Sequence, residues 1–126
     1  MDAIIRWAKA LADPTRLRIL QLLRHGELCV CEVSDALVLS QSTLSSHLQV
    51  LRQTGLVSTR KDAKWIYYAL VPDQVALVEA VWTHFHDPAD LPAALYADRT
   101  RLHQRLALRE DGKCVIGSGS HAPTTT

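Results

Sequence analysis

Long apolar runs are missing from this 126-residue chain, although apolar residues make up 48% of it. That composition supports a folded core in one compact domain and excludes a membrane-spanning helix. The N-terminus also lacks the basic end and apolar stretch of a secretory signal, because Asp2, Arg6 and Lys9 are spread along Met1–Leu11. A cytoplasmic location is therefore expected, where thiols stay reduced. Cysteine is scarce, and Cys29, Cys31 and Cys114 are then free thiols or metal ligands rather than disulfide partners. There is no C-x-x-C motif and no phosphate-type anion loop, which argues against a small thiol enzyme such as a reductase, and the chain is not expected to be an enzyme. The formal net charge is only +1, but it is unevenly placed. Residues 1–40 are balanced and residues 71–126 are acidic, whereas residues 41–70 carry Arg52, Arg60, Lys61 and Lys64 against Asp62 alone. Positive charge gathers in the middle of the chain, as a nucleic-acid footprint requires.

No internal repeat is present. The helical spacing of Ile4, Ile5, Ala8 and Leu11 predicts a first helix over Asp2–Ala12. Asp13-Pro14 is a helix start, with Asp as N-cap and Pro at the first position, and the second helix runs to about His25 before Gly26. Glu27–Val30 reads as a connector, Cys31–Leu37 as a short third helix and Val38–Ser40 as a turn. Ser40 caps a fourth helix, Gln41–Gln53, whose Leu44, Leu48 and Leu51 share one face. The period then changes. Val57–Arg60 and Trp65–Leu70 are β-branched and aromatic, and Lys61–Lys64 forms a basic tip between them. Helical spacing returns over Asp73–His86, with Val75, Val78, Trp82 and Phe85 on one side. Leu91–Arg109 is expected to be helical in part, carrying Arg101, Arg105 and Arg109 four residues apart. From Gly112 the tail is rich in Gly, Ser and Thr and is expected to be disordered. The expected organisation is a winged-helix and dimerisation domain over 1–87, a helical C-terminal extension over 88–111 and a tail over 112–126.

The fold class that follows is mainly α with a small β-hairpin, a winged helix-turn-helix. With the leucines of the fourth helix inward, Gln41, Ser42, Thr43, Ser45, Ser46, His47 and Gln49 face outward. Small hydroxyls let a helix sink into the major groove, and Gln41 can read an adenine edge with two hydrogen bonds. Arg52, Arg60, Lys61 and Lys64 would neutralise phosphates. A solvated polar face and a solubilising hairpin would explain each feature singly, but their order and spacing together favour binding to double-stranded DNA.

Cys29 and Cys31 are two residues apart at the start of the third helix, where the helix dipole favours thiolates that can converge on a soft ion. Simple packing of small side chains and a redox switch are the other readings of this pair. Zinc would want four ligands, and only two are local. His84 and His86 flank Phe85 and point in different directions, so a metal site there is not expected.

Four segments taken together, Glu27–Val33, Leu39–Leu48, Gly55–Val57 and Lys64–Tyr68, resemble the ArsR/SmtB family of metal-sensing repressors over roughly residues 2–86. The C-V-C sequence is most similar to that of arsenical-resistance operon repressors. The resemblance implies a homodimer paired through the first and fifth helices, bound to an operator palindrome. It implies release when trivalent arsenic or antimony binds the cysteines, with no other cofactor. Two departures stand out. The family's arsenic sensors carry a third cysteine where this chain has Ser34, so either two thiols suffice, with Cys114 an incidental tail cysteine, or Cys114 joins as the third, from the same or the partner chain. The acid and histidine ligands of the family's zinc sensors are replaced by Pro72, Gln74 and Phe85. Cadmium and lead sensors of the family add N-terminal cysteines, and Met1–Arg24 has none. Sensing of cadmium or lead, or of thiol oxidation, through the same cysteines is the alternative.

Overall fold

Helix boundaries follow from their capping chemistry. In a computed structural model that describes residues 1–87 and 89–119, α1 spans Asp2–Leu11 and α2 spans Pro14–Leu23. The Asp13 side chain accepts the Arg16 amide at 3.1 Å, and Pro14 starts the helix where no amide is needed. Strand β1 (Leu28–Cys29) leads directly into α3 (Val30–Leu37). Ser40 Oγ accepts the Thr43 amide at 3.1 Å and so opens α4 (Gln41–Gln53). The wing consists of β2 (Val57–Asp62) and β3 (Trp65–Leu70). Helices α5 (Pro72–Phe85) and α6 (Ala93–Leu106) follow. No described helix is long and apolar enough to cross a membrane.

The sheet is antiparallel in the order β1-β3-β2. Sequence patterning missed β1, because a strand of two residues is too short for any periodicity to appear. Its pairing sets Cys29 opposite Tyr67 and Leu28 opposite Tyr68. The hairpin is longer than expected. Lys61 and Asp62 belong to β2, and Ala63 turns the chain at φ 55°. A two-residue hairpin turn demands positive φ of this kind.

Ile19, Leu20, Val33, Leu44, Leu51 and Leu56 are buried at the centre of one core shared by α2, α3, α4 and the wing. Leu102 of α6 joins it at 2% exposure. Burying such a leucine contributes roughly 1.5–3 kcal/mol. Helix α6 rests on α3 and α2, with Asp98 and Arg105 buried alongside Leu102.

The expectation of disorder from Gly112 onward is corrected as far as Gly119. Cys114 is buried at 1% exposure, and its amide donates to the Tyr67 hydroxyl at 2.9 Å. A Gly- and Ser-rich composition signals flexibility only when nothing fixes the segment, and here a buried thiol and its backbone are held. Residues 120–126 of the expected tail lie outside the described residues.

Candidate effector and nucleic-acid sites

Cys29 closes β1 and is the N-cap of α3, so Cys31 falls in the first turn of that helix. Their sulfurs are 3.2 Å apart. The descending chain after α6 brings Cys114 to the same place, and the three Sγ atoms lie within 4.8 Å of one another, all buried. Tyr67 and the partly buried Trp65 wall the cluster. All three sulfurs come from one chain.

The polar groups beside the sulfurs are already engaged in hydrogen bonds. The nearby Glu32 carboxylate is fully buried but already occupied. It accepts the Cys29 amide at 2.8 Å and two Arg109 N–H groups at 2.6 Å. Ser34, at the position of the family's third cysteine, donates its hydroxyl to the Leu39 carbonyl at 2.5 Å in the turn before α4. Arg105 Nη2 approaches Cys114 Sγ at 3.7 Å and also donates to the Ile116 carbonyl. Its Nε pairs with Asp35 at 2.7 Å, while Nη1 is buried with no hydrogen-bond partner among the described residues. The hydrogen bond between Cys29 and Cys31, reinforced by burial, pushes the Cys29 thiol well above the usual thiol range. The same bond draws Cys31 below that range, and burial pushes Cys114 up. Three buried sulfurs fit a soft ion that takes three ligands, and among the described residues they fall one short of a tetrahedral zinc site.

Sequence patterning found the three cysteines but not their neighbours. Arg105 and Arg109 were visible only as part of an arginine repeat, and nothing in the sequence linked Glu32 or Tyr67 to the thiols.

The outward face of α4 carries Gln41, Ser42, Thr43, Ser45 and Ser46, all exposed. His47 departs from the expected outward face. It is half-buried, with Nδ1 3.1 Å from Arg16 Nη1 and 3.8 Å from the Asp13 carboxylate. Its position next to the inward Leu48 turns it toward the start of α2. Arg52 is exposed in the last turn of α4, and Lys61 and Lys64 are exposed on the wing. Lys64 sits over the Trp65 ring at 4.9 Å. Arg60 is less free than expected: its guanidinium pairs with Glu27 at 2.7 and 2.8 Å and stacks 4.5 Å from the Tyr67 ring centroid. That pairing follows from strand register, which sets Arg60 opposite Tyr67.

Residues 13–59, from the α2 cap into the first strand of the wing, match the bacterial regulatory protein family named arsR. The solution structure of the homodimeric winged helix-turn-helix DNA-binding domain of Mb0332 from Mycobacterium bovis superposes with a TM-score of 0.63 at 36% identity. It covers 65% of this chain and 77% of that one. This chain belongs to the arsR family.

Among its arsR relatives is the arsenic resistance transcriptional regulator ArsR1 of Pseudomonas putida, 47% identical over 74 residues. The arsenical resistance operon repressor of Escherichia coli K12 is 51% identical over 69 residues. These alignments cover 58% and 54% of this arsR chain and only 58% and 59% of the two relatives. The family is one of transcriptional regulators, not enzymes. The segment from α6 to Gly119, which supplies Cys114 and Arg105, lies beyond the family match.

Proposed function

We propose that this arsR-family protein is a homodimeric transcriptional repressor released from its operator when trivalent arsenic or antimony binds Cys29, Cys31 and Cys114. The observation that carries this reading is the convergence of three buried sulfurs within 4.8 Å, beside the helix that precedes α4. Gln41, Ser42, Thr43, Ser45 and Ser46 would meet base edges and phosphates in the major groove, with Arg52, Lys61 and Lys64 on flanking phosphates. His47 and Arg60 would support these elements through Arg16 and Glu27. Exposed Ile4 and Ile5 on α1 and Val75 and Phe85 on α5 supply an apolar face for the second copy. Trp7 Nε1 donates to Gln74 Oε1 at 2.8 Å and ties the two helices together.

The control is thermodynamic linkage. A metalloid that binds better to the conformation with low DNA affinity weakens DNA binding by the same factor. Bonding three sulfurs at once couples α3, the β1–β3 pair and the chain after α6, which together position the DNA-facing helix. The test is release of an operator fragment by arsenite, repeated with Cys29→Ser, Cys31→Ser and Cys114→Ser. Each substitution is expected to raise the arsenite needed for release at least tenfold, and release that persists in the triple variant sinks the thiol mechanism.

The 3.2 Å separation of Cys29 and Cys31 supports a second reading, release by thiol oxidation. Peroxide would take two electrons and two protons from the pair, forming a disulfide and water. Release by peroxide alone, reversed by a thiol reductant, would favour it. Cadmium or lead on the same sulfurs is separated from arsenic by comparing the ions in the same release measurement.

A further inference from the structure

The chain beyond Cys114 runs from the thiol cluster to the DNA-facing helix. Arg105 holds its start through Cys114 Sγ and the Ile116 carbonyl. The Gly119 amide donates to Asp35 Oδ1 at 2.9 Å, which anchors the far end on α3. Between these points Gln41 Nε2 donates to Ser118 Oγ at 3.0 Å. Gln41 is the first residue of α4 and the side chain best suited to read a base edge. One end of this segment is therefore a sulfur of the cluster, and the other occupies a side chain that DNA would need.

We propose that residues 114–119 form a strap that covers the start of α4 and competes with DNA for it, so that a metalloid holding Cys114 holds the strap closed. This rests on the sensor reading above and adds the route by which the ligand acts. Two arrangements exchange. In the closed one Ser118 occupies Gln41 and Gly119 caps Asp35. In the open one the strap's far end leaves and α4 is free to enter the groove. The contacts of that end are exposed polar ones, each worth little against water, so opening is easy without ligand. Binding at three sulfurs needs Cys114 in place and favours the closed arrangement. Linkage then requires DNA, which needs the open one, to weaken the ligand equally. Arg105 is a positioning residue in this scheme, because one guanidinium joins Cys114, Ile116 and Asp35.

The experiment uses the full chain with Ser118→Ala and Gly119→Pro together. Gly119 has φ 78° and donates its amide, and proline permits neither, so the far end loses its hydrogen bonds to Gln41 and Asp35 while all three thiols remain. Arsenite uptake is followed by the sulfur-to-arsenic absorption band in the near ultraviolet, and operator affinity by titration of a labelled fragment. The variant should still take up arsenite, with an affinity lowered by no more than the factor it gains for the operator. It should bind the operator about three- to ten-fold more tightly without arsenite, as expected when two hydrogen bonds no longer hold the strap, and need correspondingly more arsenite for release. Equal operator affinity and equal release in both chains, with uptake intact, overturns the strap and leaves the sensor standing. A parent chain that takes up no arsenite, beside a variant that still binds the operator more tightly, overturns the sensor and leaves the strap.

Discussion

Glu32 and Arg109 form a two-pronged ion pair, with both N–O distances at 2.6 Å and the carboxylate fully buried. It joins the first turn of α3 to the chain leaving α6, immediately beside the thiol cluster. Arg109 also donates to the Glu27 carbonyl at 2.9 Å, so one side chain ties together both approaches to Cys29.

The two halves of this pair should respond unequally to substitution. Arg109→Met strands a buried carboxylate, for which a cost of about 3 kcal/mol is expected. Glu32→Gln keeps the side-chain oxygen for the Cys29 amide and leaves Arg109, which is 21% exposed, able to turn to water. It should cost only about 1–2 kcal/mol. Urea unfolding of both variants checks the order, and an equal or reversed ranking would mean that the carboxylate is not the costly partner.

Asp13 gives the fold an acid-sensitive point. Burial works to raise its pKa, but the Arg16 amide, His47 and the Arg16 guanidinium outweigh it and hold the carboxyl below its ordinary value. A depressed folded-state pKa means stability that is complete above the unfolded value of 3.8 and is lost as pH falls through the lower folded value. Asp13→Ala should therefore lower stability by about 1 kcal/mol at neutral pH. The gap between variant and parent should close on acidification below the ordinary carboxylate range, as read by thermal unfolding across pH.

The wing cations differ in how free they are. Lys61 and Lys64 are exposed, whereas Arg60 is already paired with Glu27. Replacing either lysine by alanine should reduce the slope of log affinity against log salt by about one for each phosphate that a protomer no longer neutralises. Arg60→Ala should change that slope less, because its charge is largely answered within the protein. Equal slopes for all three variants would show that the Glu27 pair opens on DNA.

Much of this architecture was legible from local chemistry. The Asp13-Pro14 and Ser40 caps mark helix starts by side-chain oxygens that satisfy free amides, and the Leu44, Leu48 and Leu51 spacing fixes which face of α4 is inward. The change of period at Val57 announced the wing. Such signals act over a few residues and need no partner from elsewhere. His47 misled because an outward position on a helical wheel is no guarantee when a neighbouring helix presents Arg16 and Asp13 to it.

By itself the sequence determined the order of helices, the winged helix-turn-helix and the chemical identity of the candidate ligands, because capping, periodicity and thiol chemistry are properties of the residues present. Tertiary structure decided what those residues meet. Cys114 follows Cys31 by more than eighty residues, and only the packing of α6 on α3 brings its sulfur back to the pair. The same packing buries Arg105 against Asp35 and draws a Gly- and Ser-rich tail across Gln41. Contacts between distant segments depend on the whole core closing, and no local pattern can specify them.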